Sequence, residues 1–447
     1  MRLLVGSLLA LTLAANAQTA ATARPTDSPA ALTHPVTFAC GDSAKHATPL
    51  SLGMLASPSS PGWDLRTIPQ IADGVCSSDK PFFFSIPVPE GNYRVTIRLG
   101  GTQASLTTVR AEARRLMLEK IRTAAGRTTT RKFDVNVRVP EFTRPDGTPG
   151  RVRLKPREIG NLDWDHKLTL EFNGANPSFR TITIQPISEP VIYLAGDSTM
   201  VDQDVEPWAS WGQMLPRFFL PGVVIANNAE SGETSASFLG EQRMPKVMSL
   251  IKPGDYLFMQ FAHNDQKMNP RTHEAVVPLD KYKQLLTDFV NEARAKGATP
   301  VIVTAMNRDN FDAQGHIVDT LAGYPQAARE VAAATHTALI DLNAMSKIMF
   351  EAMGPEGANH AFMHFKAGSY PGVEHDINDN THFNNYGAYE LARCIVHGIR
   401  EDKLPVAKFL DPTVPDFNPA HPDPFAQFSL PYTPMQHQED TTKVPQT

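Results

Sequence analysis

Val191-Ile192-Tyr193-Leu194-Ala195-Gly196-Asp197-Ser198-Thr199 decides the fold class of this 447-residue chain. Five apolar residues in a row describe a strand buried on both faces, and Gly196 permits the tight turn that ends it. Similar runs recur at 223–226, 256–261, 300–304 and 338–342. Amphipathic helical segments lie between them, among them 282–296, closed by Gly297. Buried strands alternating with helices predict an α/β unit: a parallel sheet with helices on both faces. A last helix is predicted over 385–399.

Upstream of Pro190 the rhythm is different. Phe82-Phe83-Phe84-Ser85-Ile86, Tyr93-Arg94-Val95-Thr96-Ile97 and Lys132-Phe133-Asp134-Val135-Asn136-Val137 are short runs, mostly alternating and separated by Gly, Pro and Asn. Period-two alternation predicts a half-buried antiparallel sheet, hence an all-β sandwich or jelly-roll domain over 35–188. Residues 109–124 have helical composition but are assigned to strand, because sheet context overrides propensity. The α/β unit then spans 189–402. Beyond it, a Pro-rich tail (403–447) cannot continue a helix, and Phe417, Phe425, Phe428 and Leu430 suggest that it straps the surface.

The first residues read as an address. Arg2, a short apolar run and Ala15-Asn16-Ala17 match a signal peptide over 1–17, followed by a linker over 18–34. Export to the periplasm or outside the cell is expected, with no membrane anchor. An oxidising destination would let Cys40 pair with Cys76, leaving Cys394 as a buried thiol. The formal net charge of −5 and the absence of a basic cluster argue against a nucleic-acid partner. Hydrophobic residues at 41% and charged residues at 20% exclude general disorder.

In an open parallel sheet, ligands bind beyond the carboxyl ends of the strands. Ser198 stands at such an end. A serine hydroxyl needs a base, itself oriented by a carboxylate, and Asp379-Asn380-Thr381-His382 offers both just before the last helix. Acyl transfer also requires donors for the developing oxyanion. Gly232 after the second strand, Asn264 after the third and the Ser198 amide supply three. The chain lacks the second glycine of a G-x-S-x-G elbow, which disfavours an α/β-hydrolase.

At these positions the sequence resembles the SGNH (GDSL-type) hydrolases, whose four blocks are matched by Ser198, Gly232, Asn264 and His382, with Asp379 completing the triad. It is most similar to the rhamnogalacturonan acetylesterase branch, through 196–200, 208–212, 258–265 and 381–383. The resemblance implies a three-layer, flavodoxin-like parallel sheet preceded by a galactose-binding-like β domain. It also implies a secreted carbohydrate esterase that removes acetyl groups from pectic polysaccharide, with no metal or cofactor.

Two residues depart from that branch. Ala262 replaces a glycine, and Glu233 with Ala236 stand where basic residues are usual. An anionic galacturonate backbone calls for arginine, so this loss of positive charge makes acetylated xylan or another neutral glycan an alternative substrate. A glycan-binding protein on a non-catalytic scaffold is the competing class.

Asn307 and Arg308 are expected at the cleft edge, in reach of sugar, and His375 as a lining residue. Asp202, Asp204 and Glu206 read as a solvated loop, Trp208 and Trp211 as packing, and Asp255 and Asp265 as structural anchors. His360 and His364 would share a face if 359–365 were helical, but the ligand spacing of a metal site is missing.

Overall fold

In the computed structural model, which describes residues 28–41 and 45–434, the region up to Ile187 folds as two packed β-sheets. The expected leader, most of the linker and the end of the tail lie outside the described residues. Alternation sets the faces: along Gly91–Leu99, Tyr93, Val95, Ile97 and Leu99 are buried while the intervening residues turn outward. That strand pairs antiparallel with Thr129–Val137 and Ser178–Ile187. The opposing sheet runs Gly62–Asp64, Phe82–Pro87, Lys167–Ala175, Ser105–Ala111, Arg115–Thr123. Residues 109–111 and 115–123 are strand there, joined by a turn at 112–114, whatever their helical composition. Between the sheets Phe172 stacks on Phe82 and Phe179, with ring centroids 5.2 and 4.5 Å away. A disulfide joins Cys40 to Cys76.

The second unit is a five-stranded parallel sheet: β1 (Val191–Gly196), β2 (Val224–Asn227), β3 (Tyr256–Gln260), β4 (Thr299–Val303) and β5 (Ala338–Ile340), in the order β2-β1-β3-β4-β5. Side chains alternate between two apolar layers, which explains the unbroken apolar runs. Ile192 and Leu194 enter one layer with α6 (Leu342–Ala358) and α7 (Asn385–Glu401). Val191, Tyr193 and Ala195 enter the other with α4 (Leu279–Ala295) and α5 (Tyr324–Thr335). Chain order reverses between β1 and β3, and the cleft outside that switch point is where a flavodoxin-like sheet takes its ligand. A hairpin, β6 (Phe362–Phe365) and β7 (Ile377–Phe383), precedes α7. Asn384 caps α7 by accepting from the amides of Tyr386 and Gly387.

The two units are joined by buried charge. Asp202 and Glu206, expected in a solvated loop, are 3% and 4% exposed. Asp202 receives Arg115 Nε at 2.6 Å, and Glu206 receives Arg114 at 3.0 Å, both arginines coming from the β domain. The loop after Ser198 is thus buried because the β domain supplies its counter-charges. The tail crosses both units. Phe417 is buried, Phe428 and Leu430 pack against the α7 layer, and Arg110 donates to the Pro431 carbonyl. Phe425 remains 44% exposed, with one face stacked on His360.

Candidate active site

The turn after β1 is built by close approach and hydrogen bonding. A Cβ at Gly196 would lie 2.7 Å from the Gln260 carbonyl and 2.8 Å from Met200 Sδ, so only glycine fits. Asp197 Oδ1 accepts from the Thr199 amide (2.9 Å) and hydroxyl (2.8 Å). Gln260 Nε2 donates to Thr199 Oγ1, and Trp211 Nε1 to Gln260 Oε1. These bonds fix the backbone around Ser198, whose Oγ lies 2.8 Å from His382 Nε2. His382 Nδ1 lies 2.7 Å from Asp379 Oδ2.

Asp379 and His382 come from strand β7, not from a loop. In a regular strand, residues three apart would be about 10 Å distant on opposite faces. Pairing is irregular here: Phe362 faces Phe383 while the adjacent Met363 faces Asp379, so residues 380–382 bulge out. The bulge folds the chain back, and Asp379 Oδ1 accepts from the amides of Thr381 and His382. Burial would raise the Asp379 carboxyl, but the His382 hydrogen bond and charge and the two amides bring it down to about 2. It therefore stays ionised wherever the fold is tested near neutrality, and can hold one imidazole tautomer in place.

Gly232 and Asn264 follow β2 and β3. The Glu233 amide closes a turn onto the Glu230 carbonyl at 3.2 Å, and Gly232 has φ +79°, the value at the third position of a type II turn. Asn264 Nδ2 donates to the Glu233 carbonyl at 2.9 Å; a carboxamide has a second hydrogen to offer. Ser198, His382 and Asp379 thus form one hydrogen-bonded relay at the β1/β3 switch point, with Gly232 and Asn264 after the strands on either side of β1.

The family model of GDSL-like lipase/acylhydrolases matches residues 194–389. Rhamnogalacturonan acetylesterase RhgT of Bacillus subtilis (strain 168) is 41% identical over 221 residues, which span 49% of this chain and 93% of that one. The probable rhamnogalacturonan acetylesterase YesY of the same organism is 34% identical over 218 residues, 48% of this chain and 95% of that one. The chain belongs to the GDSL-like lipase/acylhydrolase family. Among solved structures, the YxiM protein of Bacillus subtilis shares 23% identity at a TM-score of 0.45, covering 83% of this chain and 99% of that one. This GDSL-like hydrolase is a carboxylic ester hydrolase of the SGNH fold.

Three expected sugar contacts fare differently in the enzyme. Asn307 is buried, and its amide is committed to the Asn343 carbonyl and Ser346 Oγ at the start of α6, so it faces the fold and not the cleft. Arg308 is likewise engaged: Nε meets Thr381 Oγ1 at 3.1 Å and Nη1 the Thr320 carbonyl at 2.9 Å, which braces the β7 bulge. His375 is exposed in the β6–β7 connection. His360 and His364 do not share a helix face. His364 lies on β6 against Asp309, and no metal-holding cluster exists among the described residues.

Glu233 does not point at a ligand. It is fully buried, accepts from Ser237 Oγ and lies 2.5 Å from Lys155 Nζ. Arg157 pairs with Glu230 at 2.5 Å. Two cations from the β domain thus stand beside the turn that carries Gly232, each paired with one of its carboxylates. Sequence reading missed these two residues because some 75 positions and a domain boundary separate them from the turn they touch.

Ala262, in place of the branch's glycine, is fully buried and has φ +148°, a region that disfavours any Cβ. Such backbone costs about 1–3 kcal/mol, similar to what the lost methyl and the added chain entropy of a glycine would cost. Ala262→Gly is expected to change unfolding free energy by less than about 1 kcal/mol in urea titration. A loss above about 2 kcal/mol would mean that packing of the methyl outweighs the strain.

Asp265 anchors the start of α2 (Ser235–Gly240) by accepting from the Ser235 amide and hydroxyl. Burial pushes its carboxyl up to about 7, against those bonds and with help from the Asp197 charge. Because the folded value exceeds the unfolded one, this group's contribution to stability is complete at low pH and is lost as pH rises from about 4 through about 7. Asp265→Asn keeps the acceptor and cannot ionise. Its melting temperature should therefore fall less between about pH 5 and 8 than that of the wild type. Parallel profiles would sink this account.

Proposed function

We propose that this hydrolase is an exported carbohydrate esterase that removes acetyl groups from acetylated rhamnogalacturonan. The observation that carries the reading is the unbroken relay Ser198 Oγ–His382 Nε2–His382 Nδ1–Asp379, at 2.8 and 2.7 Å. Ser198 Oγ attacks the acetyl carbonyl while His382 Nε2 takes its proton. The tetrahedral oxyanion is met by the Ser198 and Gly232 amides and the Asn264 carboxamide. Collapse transfers the proton to the sugar oxygen, which leaves as an alcohol, and the acetyl group stays on Ser198. Water, deprotonated by His382, then releases acetate and restores the serine. Every step is proton transfer and acyl exchange.

Support for the substrate comes from two relatives, one named a rhamnogalacturonan acetylesterase and one a probable rhamnogalacturonan acetylesterase, each matched over more than nine-tenths of its length. The burial of Glu233 and its pairing with Lys155 neutralise the negative charge that would have repelled an anionic glycan. Export is supported by the Arg2–Ala17 pattern and by the Cys40–Cys76 disulfide.

Acetate release from a panel of acetylated polysaccharides tests the reading. Rhamnogalacturonan is expected to be the best substrate. Release from acetylated xylan or mannan alone would keep the mechanism and overturn the substrate, and release from none would overturn the esterase reading on glycans.

A further inference from the structure

The β domain reaches into the turn that carries Gly232. Its segment Arg153-Leu154-Lys155-Pro156-Arg157-Glu158 is stitched onto α3 (Arg243–Leu250): Glu158 takes a bidentate pair from Arg243, and the Arg153 amide donates to the Glu241 carbonyl at 2.9 Å. So anchored, the segment presents two cations to one atom. Lys155 Nζ donates to the Ser231 carbonyl at 2.7 Å, and Arg157 Nη2 donates to the same oxygen.

That carbonyl and the Gly232 N–H are the two ends of one peptide unit. In a trans peptide they point in opposite directions. This unit is also the middle peptide of the Glu230–Glu233 turn. Type I and type II turns keep nearly the same ends and differ by rotation of this middle peptide, as their φ/ψ values show. Glycine at the third position tolerates either form. The bonds at the turn's ends, Glu230 N to the Gly196 carbonyl and Asn264 to the Glu233 carbonyl, hold it in place without choosing the peptide's direction.

We propose that Lys155 and Arg157 are positioning residues of the oxyanion site, which lock the Ser231–Gly232 peptide with its carbonyl toward the β domain and its N–H toward the reacting acyl group. Two cations on the carbonyl also polarise the peptide and strengthen its N–H as a donor. The inference rests on the proposed acyl-transfer mechanism. It gives the β domain a direct part in catalysis, beyond bracing or glycan binding. A substrate clamp is the less economical role, since both cations already satisfy Glu233, Glu230 and the Ser231 carbonyl. A glycan carboxylate would have to displace those partners.

The test uses the full chain and 4-nitrophenyl acetate, a small neutral ester. In Lys155→Met/Arg157→Met, kcat should fall about 10- to 100-fold, less than or comparable to removing an oxyanion donor, with KM within about threefold of wild type. The exchange Lys155→Arg/Arg157→Lys keeps both donors and should recover kcat to within about threefold. A melting curve establishes that each variant is folded. If the double methionine variant is not, Lys155→Gln and Arg157→Gln decide singly, and a kcat within about twofold of wild type in both overturns the proposal. A defect confined to KM on acetylated rhamnogalacturonan also overturns it, in favour of a substrate clamp. Full activity in Ser198→Ala would instead bring down the mechanism itself, so the two failures are distinguishable.

Discussion

Ser198→Ala is expected to lower kcat/KM for any acetyl ester by about 10³- to 10⁶-fold while leaving the melting temperature within a few degrees of wild type. The size follows from the relay. Without Oγ there is no acyl-enzyme, and His382 can act only as a base toward water in a site arranged for a serine. Residual turnover would come from the oxyanion donors, which the substitution leaves in place. Stability should hold because the bonds that fix this turn run through the Asp197 carboxylate, the Thr199 hydroxyl and the Ser198 carbonyl, all retained. Initial rates on 4-nitrophenyl acetate, with acetate assays on the glycan, would check it. Activity within about tenfold of wild type would place the nucleophile elsewhere.

The second large effect is on stability. Arg115 is 1% exposed and binds three groups: Asp202 at 2.6 Å, Asp163 at 2.8 Å and the Asn136 carbonyl at 2.6 Å. Arg138 is also present, 3.2 Å from Asp163 and 3.7 Å from Asp202. Arg115→Ala leaves two buried carboxylates to one guanidinium, and an uncompensated buried charge costs about 3–5 kcal/mol. Urea titration should show a loss of that order. Adding Asp202→Asn removes the orphaned charge and should recover part of it, which a double-mutant cycle would measure. Because Asp202 lies four residues after Ser198, the single variant should lose activity as well. A loss below about 1 kcal/mol would mean that water or rearrangement compensates the carboxylates, and that the domain interface does not depend on this cluster.

Patterns that repeat along the chain were readable without a structure. Continuous apolar runs marked the parallel strands because each is covered on both faces, and period two marked the sandwich through strands such as Gly91–Leu99, which bury one face and turn the other outward. Ser198, Gly232, Asn264 and the Asp379–His382 pair were legible because strand ends and short spacings put them there.

What sequence spacing could not carry is the pairing of distant charges. Asp202 and Glu206 looked solvated because their arginine partners lie about 90 positions upstream. Asn307 and Arg308 looked available to sugar because nothing local shows that α6 and the β7 bulge consume their donors. Glu233 looked like a lost positive charge because Lys155 and Arg157 approach it only through the docked β domain. Burial and hydrogen bonding of a polar group depend on which surfaces meet in three dimensions. The sequence by itself determined the sheet and the strand-end positions of the candidate residues; only the tertiary structure decided which charges are buried in pairs and hold the two domains together, since a buried ion pair exists only where both partners are brought out of water at once.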